Sequence, residues 1–135
     1  MDWNESYWSS ADTLNAYADS VLEGLESSHP RASVLVGANK AKMAETINVI
    51  KSNSVDLDHL ASSYFTRILN GIDAEIHNRN DRDSALNNAY SAASALNEFF
   101  ADKPVLEVNG LKSAAMYLNS MVGELKSYSS HRRVE

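Results

Sequence analysis

The sequence predicts an all-α fold, an up-and-down antiparallel bundle of four to five helices over about 6–28, 30–53, 56–78, 81–101 and 110–127. Three observations lead there. Only two prolines and five glycines punctuate 135 residues, too few for a chain of many short strands. Apolar residues recur at alternating three- and four-residue steps, the period of a helix that buries one face. The periodic segments are joined by connections of two to eight residues, which favour antiparallel neighbours.

In the first segment Tyr7, Ala11, Leu14, Ala18, Val21 and Leu25 form one seam, widened by Trp8 and Leu22. It stops near His29 and Pro30, because proline suits the first position of a new helix, where its missing N–H would be unpaired anyway. The second segment places Val36, Met43, Ile47 and Ile50 on one face, and its opening stretch, Ser33 to Gly37, reads equally well as extended. Ser54 or Asp56 is suited to cap the third helix, whose face is Leu57, Ala61, Tyr64, Ile68 and Ile72. The polar run from His77 to Asp81 makes a turn, with Asn80 or Asp81 as the next cap. Leu86, Ala89, Ala93, Leu96 and Phe100 carry the fourth helix, in which Ser91 to Ala95 are all small. Lys103 to Val108 looks extended. Asn109 is placed to cap a last helix built on Leu111, Ala115, Leu118, Val122 and Leu125, and a polar tail over 128–135 is expected to fray.

A chain of this length with 44% hydrophobic residues fits a single globular domain over 1–135. It has no cysteine, which excludes a disulfide framework, a thiolate metal site and a cysteine nucleophile. The opening residues carry two early acids and no apolar run, unlike a secretory signal, and no stretch approaches the ~20 apolar residues of a membrane span. The expectation is a cytoplasmic protein. A net charge of −6 disfavours direct binding to nucleic acid or to an anionic membrane.

Two spacings touch on metal chemistry. Glu26 with His29, and Asp56 with His59, have the E-x-x-H spacing of di-metal bundles, which require two such pairs and two further carboxylates projecting into the core. Glu23, Glu26, Glu45 and Asn48 resemble the E-x-x-E … E-x-x-D pattern of all-α nucleotide pyrophosphohydrolases of the MazG type. That resemblance covers four residues and implies carboxylates that hold Mg²⁺, with Asn48 standing where the pattern has an acid. Most acids and histidines fall off the apolar seams, whereas bundle enzymes set their ligands in the core. No cofactor is called for.

The charge is unevenly spread. Residues 1–28 hold six acids and no lysine or arginine, while Arg31, Lys40, Lys42 and Lys51 make the second segment basic. Glu5, Asp12, Asp19 and Glu26 recur every seven residues, so on a helix they line one ridge that drifts only ~20° per heptad. Trp3, Tyr7 and Trp8 head that ridge, and such aromatics are enriched at binding hot spots. Two readings follow. The acidic helix packs against the basic second one and disfavours wrong pairings, an effect on topology more than on stability. Alternatively, the ridge docks a protein partner with a basic surface, so that the chain is a small non-enzymatic binding, inhibitory or adaptor module. A small all-α hydrolase or metal-dependent enzyme with a carboxylate or histidine site is the alternative class. A homodimer through the small residues of the fourth helix or the N-terminal aromatics is a further expectation.

Overall fold

The computed structural model describes residues 11–26, 40–54, 57–103 and 110–134, with side chains over 14–26, 40–54, 57–103 and 110–127. Among the described residues, five helices make an all-α bundle: α1 (Ala11–Glu26), α2 (Lys40–Asn53), α3 (His59–Ile76), α4 (Arg82–Ala101) and α5 (Leu111–Val134). No strand occurs among the described residues. The extended stretches expected at Ser33 to Gly37 and over 104–108 lie outside them.

The seam residues whose side chains are described are buried as their spacing predicts, except that Leu22, Leu57 and Tyr64 are only partly covered. Leu14, Ala18, Val21 and Leu25 of α1 meet Met43, Ile47 and Ile50 of α2 in one core with the seams of α4 and α5. The helices alternate in direction. Asp19 pairs with Lys51, and Lys40 Nζ donates to the Glu26 carbonyl at 3.5 Å, so α1 and α2 run antiparallel. α5 is antiparallel to α2, with Lys42 Nζ 6.0 Å from the Tyr117 ring centre and Val49 against Gly110. It is antiparallel to α4 as well, with Lys112 at the Ala101 carbonyl and Lys126 over Tyr90.

One neighbour relation departs from the expectation that consecutive helices pack together. α1 lies parallel to α3, through Tyr17 on Asn70 and Gly24 beside His77, and so stands where α2 would otherwise meet α3. α3 is therefore covered by α1, α4 and α5. This explains why its burial is wider than one stripe: Phe65, Leu69 and Ile76 are as enclosed as Ala61, Ile68 and Ile72. Tyr64 and Leu57, expected on the buried face, are only partly covered.

α3 and α4 approach each other closely at Gly71. A Cβ on Gly71 would lie 2.5 Å from the Cβ of Ala89 and 2.9 Å from the Ala85 carbonyl oxygen, so glycine is needed for backbones to come this near. Gly123, midway along α5, is the opposite case. Nothing lies within 4 Å of where its Cβ would be, and a mid-helix glycine costs about 0.5–1 kcal/mol relative to alanine.

The helix ends refine the expected boundaries. α3 starts at His59, later than 56, and its cap is Asp58 rather than Ser54 or Asp56: Asp58 Oδ1 accepts from the Leu60 N–H at 2.8 Å. α4 starts after Asp81, one of the two caps the sequence offers, although its carboxylate accepts no capping bond. α5 runs to Val134, past the expected bound of 127. The apolar seam ends at Leu125.

Candidate functional site

The acidic helix is the surface singled out by the sequence. Of its seven proposed residues, Trp3, Glu5, Tyr7 and Trp8 lie outside the described residues, and Asp12 falls in the first turn of α1 with its side chain outside them. Asp19 and Glu26, with Glu23 beside them, are exposed. The ridge runs along the border with α2, where Lys51 pairs with Asp19 and Lys40 reaches the end of α1. Asp19 nonetheless keeps 55% of its side chain in solvent. Exposed pairs of this kind contribute about 0–1 kcal/mol, so the contact orients α2 more than it stabilises the bundle.

The metal-type spacings are not gathered into a core site. Glu23, Glu26, Glu45 and Asn48 are exposed, and Glu45 lies 3.5 Å from Lys42. His59 is exposed at the head of α3, and His29 and Asp56 lie outside the described residues. Among the described residues, no three histidine or acidic side chains come close enough to share an ion.

A polar cluster that sequence reasoning missed closes the far end of α3. Asp73 and Glu75 are buried, at 6% and 2% exposure, the two buried acids among the described residues. Asn78 adopts a left-handed conformation, φ 54°, just past the helix. The Arg79 N–H donates to the Ala74 carbonyl at 2.8 Å and the Asn78 N–H to that of Glu75 at 3.1 Å, the Schellman pattern that satisfies the last carbonyls. Where that motif commonly adds an apolar contact, this chain folds the Arg79 guanidinium back onto the Asp73 carboxylate, Nη1 to Oδ2 2.9 Å. Asp81 lies 3.6 Å from Arg79 Nε on the other side.

His77 completes the clasp. Its Nδ1 sits 3.1 Å from the Asp73 carbonyl oxygen and 3.0 Å from Asp73 Oδ1. Both neighbours are acceptors, so Nδ1 carries the proton. That proton is directed at the carbonyl, and no donor among the described residues is aligned with Oδ1. The opposite ring edge faces Gly24 of α1: a Cβ there would be 2.7 Å from His77 Cε1 and 3.2 Å from Nε2. Nearby, the Tyr17 hydroxyl donates to Asn70 Oδ1 at 2.6 Å. Burial, and then the Asp73 carboxylate, push the Tyr17 phenol well above its ordinary range. These groups lock α1 onto the end of α3. One edge of the imidazole meets α1 while 47% of the side chain stays in solvent, and the guanidinium is shared between two carboxylates, so the cluster clasps α1 to the end of α3.

A sequence signal for it existed. Asp73 lies four residues after Leu69 and three before Ile76, on the edge of the apolar stripe, with His77 and Arg79 at spacings that reach it.

Fold and surface together define a small acidic all-α bundle with one clasped end. The chain matches no protein-family model, no curated protein and no solved structure.

Proposed function

We propose that this bundle is a non-enzymatic interaction module that docks a protein partner with a basic surface through α1. The observation that carries the reading is the outward face of that helix: Asp19, Glu23 and Glu26 are exposed, and α1 contains no lysine or arginine. A carboxylate row of this kind raises the local negative potential, which steers a basic partner and sets its register. Trp3, Tyr7 and Trp8, just ahead of the helix, supply the aromatic anchors on which such contacts depend.

The test replaces Asp12, Asp19 and Glu26 together with Asn, Asn and Gln, beside a separate Lys51→Gln variant. Melting temperature and capture of a discrete basic protein are measured for both. Docking requires that the triple variant lose the captured protein while its melting temperature holds, and that Lys51→Gln keep it. If the triple variant and Lys51→Gln lose stability alike and capture is untouched, the acids serve only α2 and the reading falls.

A further inference from the structure

Of the methionines in the chain, Met43 and Met121 lie in the core at 0% and 2% exposure, and Met1 is outside the described residues. Met116 is 64% exposed, the most exposed large apolar side chain among the described residues. Five residues of helix turn through about 140°, so α5 can bury Met121 while it carries Met116 outward. The other exposed positions of α5 with described side chains, Ser113, Ser120, Glu124 and Ser127, are all polar. The packing of the bundle does not call for a thioether at 116.

Met116 stands at the rim of a groove of about 290 Å³ between α4 and α5, with Phe100 and Ala101 in its wall and Lys112 at its edge. Lys112 precedes Met116 by one helical turn, so the two side chains are neighbours on the helix surface. Its Nζ reaches the Ala101 carbonyl at 3.5 Å, long for such a bond. A cation held that loosely can turn to a stronger acceptor placed one turn away.

We propose that Met116 is an oxidation site: a peroxide converts it to the sulfoxide while Met43 and Met121 are spared, and the product makes the groove polar and leaves the bundle folded. The thioether sulfur attacks one peroxide oxygen and supplies the electron pair. The O–O bond breaks and an S–O bond forms. The proton of the attacked oxygen passes to the departing one, which leaves as water or an alcohol. The oxidant must reach the sulfur, which exposure permits at Met116 and burial denies at Met43 and Met121. The new oxygen is a strong acceptor, open to solvent and within reach of Lys112, so it goes unpaired nowhere. In the core the same oxygen would be a buried polar group without a partner. Sulfoxide reductases restore the thioether, so the change at this exposed site is reversible.

The sequence has no cysteine to compete for the oxidant. Hydrogen peroxide on the folded full chain, followed by peptide mapping over time, reads each methionine separately. Met116 should oxidise at least about tenfold faster than Met43 and Met121, and denaturing urea should abolish the difference. The Met116 sulfoxide should keep the melting temperature of the untreated protein, with amide resonances that move at Ala101 and Lys112 and stay in place at Leu118 and Val122. Met116→Leu, a conservative change at an exposed position, should fold as before and show neither the fast mass gain nor those shifts. Equal rates at the three methionines of the folded chain overturn the proposal. So does a sulfoxide form that melts lower than the untreated protein, or one in which Ala101 and Lys112 do not respond.

Discussion

Arg79 lies beyond the end of α3 and still binds it, its Nη1 2.9 Å from Oδ2 of the buried Asp73. The two residues differ in what they lose when parted. Arg79 is about half exposed and regains water, whereas Asp73 is enclosed and does not. Arg79→Ala should therefore destabilise the protein by about 1–3 kcal/mol, the range for a buried polar group left without its partner. Asp73→Ala and the double variant complete a cycle in urea denaturation. The losses should be non-additive by at least about 0.5 kcal/mol, and strict additivity would show that the pair is not coupled.

Gly71→Ala tests the approach of α3 to α4. The added methyl has nowhere to go, since it meets the Cβ of Ala89 and the backbone of Ala85 rather than the tip of a flexible chain. Overpacking of this kind costs about 1–3 kcal/mol, despite the better helix propensity of alanine. Thermal unfolding of the purified variant reads it. An unchanged or raised melting temperature would mean that the two helices separate freely.

Gly123→Ala should act with the opposite sign. The position is mid-helix and open, so alanine brings its propensity gain without a clash, about 0.5–1 kcal/mol of added stability. Denaturation at low protein concentration isolates this local effect from any association. A loss of stability would place an unseen neighbour against that glycine.

Alkaline pH should weaken the fold through two tyrosines. Tyr117 is pushed up to about 12 from an ordinary value of 10.0 by burial and then by Glu124, and Tyr17 is raised further by burial and then by Asp73. A folded-state value above the unfolded one stabilises the fold below the unfolded value, and the contribution is lost as pH rises through the folded value. Stability should hold to about pH 10 and fall from there past pH 12. Tyr17→Phe should lose about 1 kcal/mol at neutral pH, with the bond to Asn70, and then show a shallower alkaline decline. An equally steep decline in that variant would rule Tyr17 out as a contributor.

Much of the fold was legible because burial in this bundle follows one-face periodicity. Leu86, Ala89, Ala93, Leu96 and Phe100 are all enclosed as their spacing requires, and so are the five seam residues of α5. Legibility failed where a helix has more than one buried face. α3 takes neighbours on three sides, so Phe65, Leu69 and Asp73 are buried although they fall outside the stripe through Ala61 and Ile68. The α4 serines and alanines were expected to admit a neighbouring helix. Ala92 and Ala93 are consumed inside the bundle, while Ser91 and Ser94 remain exposed. On α1 the acid spacing was readable, and so was the pull of the basic second helix, which takes the form of Lys51 on Asp19. The clasp at Asp73 was readable only in part: the turn over His77 to Asp81 was expected, but not the left-handed Asn78 that folds Arg79 back onto Asp73.

The interlock of Gly71 with Ala85 and Ala89 also bears on how the molecule assembles. It joins helices separated by one short turn, so its chain closure is cheap, while the parallel contact of α1 with α3 bridges the whole of α2. The α3–α4 hairpin should act as the nucleus, with α1 and α2 docking late. Amide protons of Phe65 to Ile76 would then exchange only by global unfolding, and those of α1 by a cheaper local opening. Any partner that grips α1 would be holding the last part of the molecule to form, and its binding would appear as slowed exchange along that helix.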